Sequence, residues 1–275
     1  MTKLGKSVAI EKINEVSRVT LKDTIPVELV LTIILNNQPV ASISCLPDNL
    51  IEFAIGYLLN NGYVKKYSDI ILLRLCEKEL NLKKIPSQAI WVDTKSGIIH
   101  SSEPGFGLNR DRVKYIPSGC GSFDEIILQK EQEIGKVKSK SKVPSSTILK
   151  LNLKNLKNQK IKKEFGGLHS SALFDYDCNC LCIMEDIGRH NCIDKLAGYI
   201  ATHNIDPHGK IIFTTGRLSI DIIFKIYMMS IAVIVSNSSI THSAALLAKR
   251  IGITSIGYLR GGRFNIYSNP SRVIT

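Results

Sequence analysis

Apolar positions change texture along the chain. In the first part they come in short β-type runs, Val16-Ser17-Arg18-Val19-Thr20, Val27-Glu28-Leu29-Val30-Leu31 and Val40-Ala41-Ser42-Ile43-Ser44, where alternate residues can share one face. Asn36-Asn37-Gln38-Pro39 supplies a turn before the third run, so Lys6 to about Cys45 is predicted to form a small antiparallel meander. The period then lengthens. Pro47-Asp48-Asn49 reads as a helix start, and Leu50, Ile51, Phe53, Ala54, Tyr57 and Leu58 recur at helical spacing until Asn60-Asn61-Gly62 stops it. Further strands are predicted over Ile70 to Leu75 and Ala89 to Val92, and Ser101 to Gly121, rich in Gly, Pro and Ser, reads as a long loop.

After Gly166-Gly167 short apolar runs alternate with segments of helical period. Cys180 to Met184, Lys210 to Thr214, Ile231 to Val235 and Ile253 to Gly257 read as strands. Asn191 to Ile200, Leu218 to Met229 and His242 to Arg250 read as the helices between them. This order predicts βαβ units, hence an α/β fold with a mixed, largely parallel sheet. Three regions follow: a β-rich part over residues 1–122, a lysine-rich linker and helix over 123–164, and an α/β core over 165–275.

Composition narrows the class. The chain has 275 residues, 44% of them apolar and 22% charged, with a formal net charge of +12. Such a chain can bury a large core, which excludes a disordered polymer, a disulfide-stapled miniprotein and a collagen-like repeat. Most of the excess charge lies between Lys130 and Lys163, where eleven lysines stand against Glu131 and Glu133. Lys136 to Lys142 alternates lysine with small residues, and Ile148 to Ile161 is predicted as a lysine-rich helix capped by Ser145 or Ser146. A solvated face is one reading of this segment and a polyanion-attracting arm the other. The N-terminus shows no apolar leader, and the most apolar run, Leu218 to Val235, is broken by Asp221 and Lys225, so a soluble cytoplasmic protein without a membrane span is expected. In that compartment the seven cysteines read as free thiols.

Five segments could carry chemistry. Thr214-Thr215-Gly216-Arg217 and Ser236-Asn237-Ser238-Ser239, the latter before a helix opening at Thr241, stand at strand-to-helix junctions. Free N–H groups and the positive end of a helix favour an anion there. Tyr258-Leu259-Arg260-Gly261-Gly262-Arg263 sets two arginines around a Gly-Gly, which suits close approach to a phosphate or a guanine edge and equally suits an exposed hairpin. Glu185-Asp186-Ile187-Gly188-Arg189-His190-Asn191, with Asp194 and Lys195, packs polar side chains too densely for an unpaired interior, so a ligand or a fixed polar network must satisfy them. Cys178-Asn179-Cys180-Leu181-Cys182 lacks a zinc spacing and reads as a buried thiol face. Cys120, between Gly119 and Gly121 at the end of the long loop, is the candidate nucleophile.

Together these motifs, with Gly166-Gly167-Leu168-His169-Ser170-Ser171-Ala172-Leu173 and Pro47-Asp48-Asn49-Leu50, make the chain resemble the FdhD family of sulfur carriers for formate dehydrogenase maturation. The resemblance implies a cytidine-deaminase-like core. It also implies a sulfurtransferase in which a cysteine desulfurase loads Cys120 as a persulfide. The acceptor would be the molybdenum bis(molybdopterin guanine dinucleotide) cofactor destined for apo-formate dehydrogenase. Tyr258, Leu259, Arg260, Gly261, Gly262 and Arg263 would bind that cofactor, joined by Gly216, Arg217, Thr241, Arg189, His190 and Asn191. No permanently bound cofactor or zinc is expected, and a homodimer is the default assembly. Two departures stand out. Many members carry Cys-x-x-Cys in the loop, whereas here Pro117 precedes and Phe123 follows Cys120 at that spacing. His169 is followed by Ser170 and Ser171, and the chain has no Cys-x-x-Cys, so deaminase chemistry is not expected. A non-catalytic carrier of the same cofactor is the alternative, and nucleic-acid binding, resting only on the lysines, ranks last.

Overall fold

The computed structural model describes residues 4–76, 86–95, 115–116 and 135–275. Cys120 and most of the 101–121 segment lie outside the described residues, as does Lys130 at the start of the lysine-rich stretch.

The first part holds two hairpins in place of one meander. Strands β1 (Gly5–Ile13) and β2 (Arg18–Pro26) pair only with each other. Both expose most of their residues, so they offer no apolar face for a third strand. Strands β3 (Leu29–Leu35) and β4 (Gln38–Cys45) turn through Asn36 and Asn37, both at positive φ, a conformation asparagine tolerates better than most residues. Leu29, Leu31, Ile33 and Leu35 alternate inward on β3 and are fully buried. That face selects strand β6 (Ser87–Thr94) as a parallel neighbour. With β5 (Ile70–Cys76) and β7 (Tyr115–Ile116) the order becomes β5-β6-β3-β4-β7. Helix α1 (Leu50–Asn60) covers this sheet with Phe53, Ala54, Tyr57 and Leu58.

The second sheet is six-stranded, in the order β10-β9-β11-β12-β13-β14. Its members are β9 (His169–Asp175), β10 (Cys180–Asp186), β11 (Lys210–Thr214), β12 (Val233–Ser236), β13 (Thr254–Arg260) and β14 (Arg263–Ile266). It is mixed, and its parallel part is confined to β11-β12-β13, with antiparallel pairs on both flanks. Periodicity did not flag β9, whose Ser170 and Ser171 interrupt the apolar run, or β14, the return arm of a hairpin through Gly261 and Gly262, both at positive φ.

Both faces of this sheet are covered. Leu173, Ile212 and Ile234 pack under helices α4 (Arg189–Thr202), α5 (Ile220–Met228) and α6 (His242–Arg250). Phe174, Phe213 and Val235 face the opposite way, toward Ile148 and Leu151 of helix α2 (Ser145–Asn158). That helix starts at Ser145, earlier than predicted, with Pro144 in place of a serine at its N-cap and no side-chain cap, and ends at Asn158, because Gln159 is extended. A separate short helix, α3 (Ile161–Phe165), follows. Residues Val143–Pro144 (β8) pair in parallel with Val273–Ile274 (β15). Among the described residues, no helix is long and apolar enough to cross a membrane.

The two sheets are joined through α1 and α4, which cross at Gly56 and Gly198. A Cβ on Gly56 would lie 1.8 Å from the Asp194 carbonyl oxygen, and one on Gly198 would lie 1.8 Å from that of Glu52. Only glycine permits this approach.

Candidate functional site

The carboxyl ends of β11, β12 and β13 lie side by side, where open α/β sheets leave space for ligands. Backbone and hydroxyl contacts tie the three following turns together. Ser236 Oγ donates to the Gly216 carbonyl at 2.7 Å, Gly216 N–H donates to Thr214 Oγ1 at 3.2 Å, and Tyr258 N–H donates to the Ser238 carbonyl at 2.8 Å. Leu218 and Thr241 bond Ser239 and Leu218 through backbone N–H groups, and the Thr241 hydroxyl caps α6 by accepting from Ala244 N–H. The small residues predicted as anion sites therefore build one rigid rim.

That rim encloses an open cleft of about 400 Å³ lined by Asn152, Thr215, Asn237, Ser238, Ser239, Tyr258 and Arg260. Hydroxyls and amides form most of the wall, Arg260 supplies an exposed guanidinium, and Tyr258 supplies a ring. Tyr258 has φ of 55°, costly for an aromatic residue, at a register shift between β13 and β14. This backbone places the Arg260 guanidinium 5.2 Å from the Tyr258 ring centroid, a cation–π pair at the mouth. A polar, singly cationic cleft with an aromatic edge suits a phosphate ester that also carries a flat ring.

The other predicted residues divide. Arg217, Gly261, Gly262 and Arg263 are exposed near the rim, and Gly216 lies buried beneath it against the stem of Arg189. Leu259 alternates inward on β13 and joins the core, so it contributes no surface to the cleft. Asn152, on α2, was missed by sequence reasoning: it sits among leucines and lysines, and its only signal was an amide on neither the apolar nor the lysine face. Its Oδ1 accepts from Asn237 Nδ2 at 3.5 Å.

The dense polar block belongs to the interior. Glu185 accepts N–H bonds from Lys160, Ile161 and Lys162 at 2.8 to 3.0 Å and so caps α3. Asp186 and Lys195 form a fully buried ion pair at 2.7 Å. Burial alone would pull the Lys195 ammonium down, but the Asp186 carboxylate outweighs it and holds the group above its ordinary value. Asp186 also accepts from Leu46 N–H and Asn191 Nδ2, and Asn191 Nδ2 reaches the Ser44 carbonyl at 2.9 Å. Asp194 accepts from Asn60 at 2.7 Å and from Lys225 at 2.5 Å. Asn191 is thus spent on joining the two halves of the molecule. His190 is buried beside Ser219 and Asp221. Desolvation, then the Lys225, Arg189 and His169 charges, push its imidazole down to about 3, so the ring is neutral and its 3.7 Å contact with Asp221 is no ion pair at neutral pH.

Thiol chemistry is not prepared elsewhere in the described core. Burial raises the thiol pKa of Cys45, Cys192, Cys178 and Cys180, and that of Cys182 is pushed up to about 12. Among the described residues no group of three His, Cys, Asp or Glu side chains could hold a metal ion.

Fold and cleft together define a mixed α/β protein with an open polar cleft at the ends of its parallel strands. The model of the FdhD/NarQ family matches residues 26–274, so the chain belongs to that family. It is 33% identical over 257 residues to "Sulfur carrier protein FdhD" of Staphylococcus aureus strain bovine RF122 / ET3-1, covering 90% of this chain and 88% of that one. The namesake from strain MRSA252 is 31% identical over 251 residues at the same coverage. A crystal structure described as that of a formate dehydrogenase accessory protein from Desulfotalea psychrophila superposes with a TM-score of 0.76 at 23% identity. The match covers 99% of this chain and 100% of that one and supports the fold.

Proposed function

We propose that the protein is a sulfurtransferase that carries sulfur on Cys120 from a cysteine desulfurase to the molybdenum bis(molybdopterin guanine dinucleotide) cofactor of a formate dehydrogenase. The observation that carries this reading is the 33% identity to a sulfur carrier across 90% of the chain. In the loading step the Cys120 thiolate attacks the terminal sulfur of the donor's persulfide. One S–S bond forms as the donor's breaks, and the donor leaves as a thiolate, so no net oxidation occurs. Passing that sulfur on as sulfide takes two electrons. With Phe123 where a second loop cysteine would stand, a thiol from outside the loop attacks the Cys120 sulfur, which releases the outer sulfur as sulfide and leaves a mixed disulfide with Cys120 that a second such thiol resolves to free Cys120.

The cleft supports the acceptor half of the reading. Its hydroxyls, amides and Arg260 match phosphate oxygens, and Tyr258 offers a face to a purine. The molybdenum-bearing group is substrate here, so the protein needs to hold its nucleotide end and leave the metal end open to the loop. A second reading, a carrier that binds the cofactor without transferring sulfur, is favoured by one observation: the described lining of the cleft, Asn152, Thr215, Asn237, Ser238, Ser239, Tyr258 and Arg260, consists of binding groups and carries no thiol.

Mass spectrometry of the intact protein after incubation with a cysteine desulfurase and cysteine separates the two. Sulfur transfer predicts one added sulfur on Cys120, absent from Cys120→Ser and removed by dithiothreitol. An unloaded wild-type protein, or a Cys120→Ser variant that still supports full formate dehydrogenase activity, contradicts it.

A further inference from the structure

Helix α2 presents a surface that neither the core nor the cleft uses. Its inner face is Ile148, Leu151 and Asn155, all buried. Its outer face carries Leu149, Leu153 and Leu156, which are 38%, 63% and 44% exposed. At spacings of four and three residues these leucines form one stripe about 10 Å long. Lys150, Lys154 and Lys157 follow each leucine by one position and form a parallel, exposed stripe about 100° further round the helix. Asn152, on the other side of the leucines, lines the cleft. Around the helix the order is therefore cleft wall, apolar stripe, cationic stripe.

We infer that this face docks an amphipathic helix of a partner protein, with its apolar residues on the leucines and acidic residues against Lys150, Lys154 and Lys157. Charge complementarity selects the occupant. A second copy of this chain would bring lysine against lysine in a molecule of net charge +12. A lipid surface fits poorly, because Ile148 and Leu151 hold the helix to the sheet and the polar cleft borders the leucines on one side. Leucines at i, i+4 and i+7 are the spacing by which helices read one another. The docked partner would lie at the mouth of the cleft. This surface goes beyond the sulfur-transfer reading and stands without it.

The test is fluorescence anisotropy with the full-length protein and a labelled synthetic helical peptide bearing glutamates along one face and leucines at i, i+4 and i+7 on the next. Saturable binding is expected, weakened about tenfold by Leu153→Ser and about tenfold by the Lys150→Glu/Lys154→Glu pair. The charge-reversed pair should regain affinity for a peptide with lysines in place of glutamates, which also shows that it is folded. No binding to the wild type, equal binding by Leu153→Ser, or equal wild-type affinity for the lysine peptide overturns the proposal. So does Leu153-dependent sedimentation with phosphatidylglycerol vesicles, or a Leu153-dependent dimer at equilibrium. GDP binding measured on Leu153→Ser should stay unchanged, which keeps a failure here separate from a failure of the cleft.

Discussion

Two polar regions of this molecule look alike in sequence and do opposite work. The block from Glu185 to Lys195 closes on itself: every carboxylate in it meets a backbone N–H, an amide or an ammonium, and Asp186 and Lys195 expose nothing. The rim at Thr215, Ser238, Tyr258 and Arg260 uses only part of its polar groups internally and turns the remainder to an open cleft. Density of polar residues therefore does not identify a ligand site. Surplus hydrogen-bonding capacity at a surface does, and in a sequence that surplus is invisible until the partners are placed.

The largest effect that could break this contrast is expected at Lys195. Lys195→Met strands the Asp186 carboxylate in the interior and should cost about 3–5 kcal/mol in chemical denaturation. Adding Asp186→Asn should return much of it. A loss below about 1 kcal/mol, within the range of surface substitutions, would show the block to be solvated and open to ligands.

Next comes the joint that the block supports. Gly198→Ala sets a methyl against the Glu52 carbonyl, and the α1–α4 crossing must open; a loss of about 2–3 kcal/mol is expected. An unchanged unfolding midpoint would mean the two sheets do not depend on this contact.

A smaller effect follows from His190. Its imidazole titrates near 6.5 when unfolded and about 3 when folded, so the unfolded chain binds more protons between those values. Stability is fully present above pH 6.5 and falls as pH drops toward 3. Between pH 6.5 and 4 the loss from this group should be about 1–3 kcal/mol, and His190→Asn should flatten that part of the curve. His169, also held low, first by burial and then by Lys162 and Arg189, adds a slope of the same sign that the variant retains. An identical slope in His190→Asn would show that the ring is solvated.

Much of the architecture could be read before any coordinates. Helix α1 announced itself by Pro47-Asp48-Asn49 and its apolar spacing, and strands β11 and β12 by the runs ending at Thr214 and Val235. The N-terminal meander failed because pairing is decided by which faces are apolar. Leu29 to Leu35 needed Ile90 and Val92, some sixty residues away, more than the neighbouring hairpin. Strand β9 was hidden by Ser170 and Ser171, which are buried because Asn155, Gln159 and Thr214 hydrogen-bond them. The rim residues were legible as strand-to-helix turns. Asn152 was not, since nothing local links α2 to a turn after β12. Leu259 and Asn191 were grouped with their neighbours in motifs, though alternation on β13 sends Leu259 inward and Ser44 claims Asn191.

The contrast between the two polar regions is tested most directly by calorimetric titration of GDP, standing for the nucleotide end of the cofactor, into wild type, Arg260→Ala and Arg189→Ala. One site is expected in the wild type. Arg260→Ala should weaken it about tenfold or more with an unchanged unfolding midpoint, and Arg189→Ala should have a smaller effect. Absence of binding to the wild type, or binding that survives in Arg260→Ala and is lost in Arg189→Ala, would contradict it and move the ligand to the block read here as structural.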